Sequence, residues 1–142
     1  MGLDNYFKLH FEKNPECELI ISYFRKYFEL NDYVLLNGNP LEEGDRYKVL
    51  VDQKLLTQLR TEIEPIVTEL LKYSHNELAY FEDNGYPEEL QKKFYNSEFA
   101  PTESQSYAAG HKIIKLYNDI SLMINMFEIN EDEFFISFHS SF

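Results

Sequence analysis

The sequence predicts one α+β domain: a small, mostly antiparallel sheet of N-terminal, central and C-terminal strands, covered by three to four helices. Three observations carry this expectation. Both ends of the chain alternate apolar and polar residues with period two, the signature of half-buried strands. The stretch between them holds long apolar stripes at helical spacing. No repeat, low-complexity segment or linker divides the 142 residues, so a single domain over 1–142 is expected.

The elements follow in order. In the first strand Leu3, Asn5, Phe7, Leu9 and Phe11 share one face, and Asp4, Tyr6, Lys8, His10 and Glu12 the other. Asn14-Pro15 offers a helix cap and a first helical residue. Ile20, Phe24, Tyr27 and Phe28 then repeat at threes and fours, predicting a helix that ends at Asn31-Asp32. Asn37 to Gly44 reads as a loop, and Tyr47, Val49 and Val51 as a short strand. Asp52 caps a long helix with a stripe from Leu55 to Leu71, interrupted by Pro65, where a kink or break near Glu64 is expected. The same helix is expected to continue past Ser74 through Leu78 and Phe81, until Asn84-Gly85 stops it. Pro87 starts a short helix to Tyr95, and Thr102 caps the last helix, with Tyr107, Ile113, Ile120 and Ile124 on its buried face. Gly110 lies inside that stripe, which predicts close approach of another element. A turn over Ile129 to Asp132 leads to a final strand from Phe134 to Phe142, expected to pair with the first.

Composition narrows the function classes. Aromatic residues make up 16% of the chain, without Trp, so disorder is not expected. A single cysteine, Cys17, excludes an internal disulfide and suits a reducing compartment. No apolar run approaches the ~20 residues of a membrane span. A formal charge of −12 repels nucleic-acid phosphates and anionic membranes alike, and leaves a protein partner, one with a basic surface, as the expected ligand.

Motifs for phosphate loops, paired-cysteine metal sites and zinc proteases are absent, so neither a cofactor nor a metal is expected. Cys17 lies between Glu16 and Glu18, which disfavour its thiolate. Two groups of candidate residues remain. If the terminal strands pair, His10, His139, Asp4 and Ser141 share a face with Tyr6, Lys8 and Ser137 and could form a catalytic or ligand-binding cluster. The same alternation also describes an ordinary solvated sheet face. The second group comprises the acidic residues Glu62, Glu64, Glu69, Glu77, Glu82, Asp83, Glu88 and Glu89 with Tyr80 and Tyr86. It suits a protein-binding surface, since tyrosine is enriched at interfaces.

Short segments along the chain point to a family. It opens Met1-Gly2-Leu3-Asp4-Asn5-Tyr6-Phe7, carries Tyr23-Phe24-Arg25-Lys26, and has a Pro101-Thr102 turn before the late helix. Its end is rich in aromatics and Ser, with His139-Ser140-Ser141. In these it resembles an uncharacterised phage and prokaryotic family whose members begin with an MGLDMYL-like segment. It departs from that pattern in having Asn5 where Met is usual and in lacking Trp. The resemblance implies a phage or mobile-element origin and supplies no activity. The resulting expectation is a non-enzymatic protein-binding module in the cytoplasm of a bacterial host. One form of it is an acidic inhibitor that occupies a basic groove of a nucleic-acid-binding or defence protein. The alternative is a small enzyme or ligand binder using the His10/His139 face.

Overall fold

The computed structural model describes residues 2–101, 109–129 and 133–142. Their order is β1 (Asp4–Phe11), β2 (Asn14–Arg25), α1 (Phe28–Asn37), β3 (Asn39–Glu42), β4 (Asp45–Val51), α2 (Gln53–Leu70), α3 (His75–Asn84), α4 (Glu88–Lys93), α5 (Ala109–Ile129) and β5 (Phe134–Ser141). The strands form one five-stranded sheet in the order β2-β1-β5-β4-β3, with every neighbouring pair antiparallel. This is the α+β architecture the sequence predicts, and the two ends of the chain do pair: β1 runs against β5 from Asp4 opposite Ser141 to Phe11 opposite Phe134.

The alternation in β1 and β5 sets which face is buried. Phe7 and Leu9 on β1, Ile136 and Phe138 on β5, and Val49 and Val51 on β4 pack under the helices. The stripe of α2 (Leu56, Leu59, Ile63, Ile66) and that of α5 (Ile113, Leu116, Ile120, Ile124) complete the core. Ser22 on β2 donates to Asp119 on α5 at 2.7 Å, tying the sheet edge to the helix layer. The opposite face carries Tyr6, Lys8, His10, Phe135, Ser137 and His139.

Several elements differ from expectation for identifiable reasons. The segment from Asn14 to Arg25 is a strand, not a helix. Its apolar residues fit helical spacing, but Ile20-Ile21-Ser22-Tyr23-Phe24 is also rich in β-branched and aromatic residues, and the waiting edge of β1 decides between the two periods. Pro15 sits near the start of this edge strand, where its missing N–H costs nothing. Lys26 then reverses the chain in a left-handed conformation, with φ of 56°, and the helix forms later, running through Asn31-Asp32 instead of ending there.

The predicted loop from Asn37 to Gly44 contains β3, which folds back on β4 across Glu43-Gly44, with Gly44 at φ 87°. Pro65 neither breaks nor restarts α2. It lies on the exposed side of the helix, as does Thr61, whose carbonyl it deprives of a donor. The long helix does stop before Ser74, however. Ser74 accepts from the Glu77 amide while the Glu77 carboxylate accepts from the Ser74 amide, a capping box that starts α3 afresh. The expected Thr102 cap, Tyr107 and most of the Ile129–Asp132 turn lie outside the described residues.

Two glycines report close packing. Gly110 is approached as its place in the stripe predicts: its amide donates to the buried Tyr86 hydroxyl at 2.7 Å. Gly38, at the end of α1, is the tighter case. A Cβ there would lie 2.2 Å from Val49 Cγ1 and 2.9 Å from the Val34 carbonyl. Gly38→Ala is therefore expected to destabilise the fold by about 1–3 kcal/mol through overpacking. Urea unfolding checks this, and a cost near zero would mean that α1 and β4 sit further apart.

Candidate functional site: two imidazoles on the open sheet face

Strand pairing builds the site. His10 lies opposite Phe135, Lys8 opposite Ser137, and Tyr6 opposite His139, all directed away from the helices. On the flanks Glu18 of β2 lies opposite His10, and Lys48 of β4 opposite His139. The two imidazoles stand 6.3 Å apart, centroid to centroid. His10 stacks on Phe135 at 4.4 Å with the rings tilted by only 5°. Between the imidazoles sits the Ser137 hydroxyl, 2.7 Å from Nε2 of each.

That bridge constrains the protons. A hydroxyl has one hydrogen, so it can donate to only one ring, and the other ring must donate to it. His10 Nδ1 is 3.9 Å from the Glu18 carboxylate, which favours a proton on that nitrogen. We assign His10 Nε2 as the acceptor of the Ser137 proton and His139 Nε2–H as the donor to the Ser137 oxygen. Adding a proton to both rings would leave the Ser137 hydrogen with no acceptor and set two cations side by side.

The electrostatics agree. Burial holds the His10 pKa below the usual 6.5; Glu18 opposes the shift and Lys8 adds to it. Burial also lowers His139, helped by Lys8 and Lys48. The Lys8 ammonium, hydrogen-bonded to Glu18 at 3.2 Å, in turn lowers the Glu18 pKa.

Both imidazoles are thus neutral at pH 7, and stability is linked to that state. Well above 6.5 both the folded and the unfolded chain keep these rings neutral. Below it the unfolded chain takes up protons first, so unfolding free energy is expected to fall as pH drops from 6.5 through the lower folded values. A His10→Gln/His139→Gln variant should lose part of that slope in urea titrations repeated between pH 5 and 8. An unchanged slope would mean that the pair does not titrate with folding.

Glu18, His10 and Ser137 follow the role order of an acid–base–nucleophile triad, but two features weigh against that chemistry. The 3.9 Å contact is longer than a hydrogen bond. Ser137 is 0% exposed, so no substrate can reach its hydroxyl in this arrangement. In this arrangement it bridges the two rings.

The other predicted residues are placed as follows. Asp4 and Ser141 face each other at the far end of the β1–β5 ladder, six residues from His10 along β1, or about 20 Å. Asp4 instead accepts from the Tyr23 hydroxyl at 2.6 Å, which raises the tyrosine pKa.

Six of the eight acidic candidates bind inside the molecule. Glu62 accepts from Ser97 at 3.4 Å, Glu64 from Tyr117 at 2.9 Å, and Glu69 from Lys93 at 2.6 Å and Lys72 at 3.1 Å. Glu77 serves the capping box, Glu82 meets His111 at 2.5 Å, and Glu88 meets Lys92 at 3.1 Å. Tyr80 is exposed. Tyr86 is buried against Gly110, and burial pushes its pKa up to about 12.

Sequence reasoning missed a second histidine pair. His111 Nε2 lies 2.9 Å from His75 Nδ1, and Glu82 holds the far side of the His111 ring. The partners come from α3 and α5, 36 residues apart, so no local spacing announces them. Glu82 does lie seven residues after His75, on the same side of α3, which is the one available signal.

Among the described residues no group of three or more His, Cys, Asp or Glu could hold a metal ion, and no helix is long and apolar enough to cross a membrane. A hollow of about 310 Å³ opens between the end of α1, β4 and the start of α2, lined by Gly38, Leu50, Asp52, Lys54, Leu55 and Gln58 among others. Its one carboxylate, Asp52, already caps the Leu55 amide at 2.8 Å. No protein-family model, curated protein or solved structure matches the chain.

Proposed function

We propose that this chain is a non-enzymatic protein-binding module whose working surface is the open face of the sheet. The observation that carries this reading is the concentration of side chains on the face opposite the helices. Tyr6, Tyr23, Ile20 and Leu50 surround the His10–Ser137–His139 bridge there, with Lys8 and Lys48 between them. Tyr6 and Tyr23 sit ring to ring at 5.1 Å, and Ile20 is 59% exposed. Such rings give large contact area at small entropic cost, which is how protein interfaces gain affinity. The locking of both imidazoles by Ser137 presents this surface in one preformed geometry, and preorganisation favours binding.

The acidic-inhibitor form of the reading has less support, because most of the acidic candidates are engaged within the chain. The enzymatic alternative is weakened because Ser137, the hydroxyl between the imidazoles, is buried, and the exposed Ser141 lies at the far end of the ladder from His10. A phage or mobile-element origin rests on the resemblance of the opening segment and leaves the partner open.

Affinity capture from bacterial lysates tests the proposal. The wild-type chain and a Glu88→Lys/Glu89→Lys variant should retain the same partner, and a Tyr6→Ser/Lys48→Glu variant should lose it. The reverse pattern would favour the acidic surface, and capture of nothing by the wild type would count against a binding role.

A further inference from the structure

We infer that a second copy of this chain adds to the free edge of β2, joining two sheets into one of ten strands. The two edges of the sheet are unlike. β3 is four residues long, contains Pro40 and carries a register irregularity, features that blunt an edge. β2 also has a proline, Pro15, and two register shifts, but it is twelve residues long, pairs among the described residues with β1 alone, and exposes Leu19, Ile20 and Tyr23 between Glu18 and Arg25. A long apolar edge is a template for another strand.

The backbone phase of that edge suits a copy of itself. The Lys26 amide donates to the Leu3 carbonyl at 2.6 Å, and antiparallel alternation then turns the backbone groups of Arg25 and Tyr23 outward. A register shift in β2 lies between the partners of Phe7 and Lys8. Beyond it, Ile20 and Glu18 lie opposite Lys8 and His10 and turn their backbone groups outward too. The four outward residues are therefore 18, 20, 23 and 25, symmetric about a point between Ile21 and Ser22.

An antiparallel two-fold pairing puts Glu18 of one copy opposite Arg25 of the other, and Ile20 opposite Tyr23, each contact occurring twice. Opposite charges and exposed apolar groups thus match in the one register the backbone favours, and all four side chains lie on the open face. Lys115 on α5 reaches the same edge and donates to the Tyr23 carbonyl at 3.1 Å. A carbonyl can accept twice, so this lysine tempers the edge without closing it. The two-fold axis is perpendicular to the sheet, so both open faces point the same way and one dimer offers two copies of the binding surface.

Sedimentation velocity from micromolar to millimolar protein tests the dimer. The wild type should shift from monomer to dimer, Ile20→Lys should weaken the association about tenfold or more, and Lys115→Met should strengthen it. Ile20 is exposed, so its variant keeps the fold, which circular dichroism checks. In a Cys17→Ser background, Ile20→Cys with Tyr23→Cys should give a covalent dimer on oxidation, because opposed residues bring Cα atoms within disulfide range. A monomer at every concentration, a dimer indifferent to Ile20→Lys, or no covalent dimer would overturn the inference. Partner capture through Tyr6 and Lys48 does not depend on any of these results.

Discussion

Phe138→Ala is expected to cost about 3–5 kcal/mol of unfolding free energy, a large share of what a domain of this size has. Phe138 is fully buried in the central strand, β5. Its ring meets Phe7 on β1 edge-on at 5.1 Å, and Val49 lies opposite it on β4. The truncation removes contacts to both neighbouring strands and leaves a cavity that the surrounding helices can only partly fill. The melting temperature should fall by about 10 °C or more. Phe142 is the natural control: it shares the alternation of β5 but is 66% exposed and touches Tyr47 at its rim. Phe142→Ala should cost about 1 kcal/mol or less, and equal costs for the two variants would contradict the assignment of β5 to the middle of the sheet.

Asn31→Ala should be nearly as damaging, at about 2–4 kcal/mol, for a different reason. The Asn31 side-chain oxygen accepts from the Asn5 amide at 3.1 Å and from the Ser140 hydroxyl. This joins α1 to β1 and β5 beneath the sheet. Asn5 is 0% exposed, and its own oxygen already has no hydrogen-bond partner. Removing Asn31 strands the rest of that amide in the core. The compensating change is then predictable: Asn5→Leu/Asn31→Leu should be less destabilised than Asn31→Leu alone, because it leaves no amide to desolvate. Additive costs in that cycle would mean that the bond contributes little.

The legible parts of the fold are those where one period had no competitor. In β1 and β5 alternation gives the buried face, and the tendency of chain ends to lie close gives their pairing. β2 is hidden from local pattern because Ile20, Phe24, Tyr27 and Phe28 satisfy helical spacing, while the pairing that overrides it belongs to β1. The separate start of α3 could have been read from Ser74-His75-Asn76-Glu77, a capping-box pattern inside a longer apolar stripe.

The site shows the same division. Alternation places His10, Ser137 and His139 on one face, and the ladder brings them together. It also places Asp4 and Ser141 on that face, but a face is not a position, and register sets them about 20 Å from His10. The His75–His111 contact depends on how α3 packs against α5, which no local pattern encodes. The acidic residues were visible as a group, yet their partners Lys93, Tyr117 and His111 are distant in sequence, so the charge that remains to meet a partner could not be judged from spacing.

On the proposed function, the open sheet face is where this protein meets its partner. A photo-crosslinking side chain placed at Tyr6, compared with one at Tyr80 on α3, tests it directly in a host lysate. A discrete covalent adduct is expected from position 6 and none from position 80. An adduct from position 80 alone would place the partner on the helical side and contradict it.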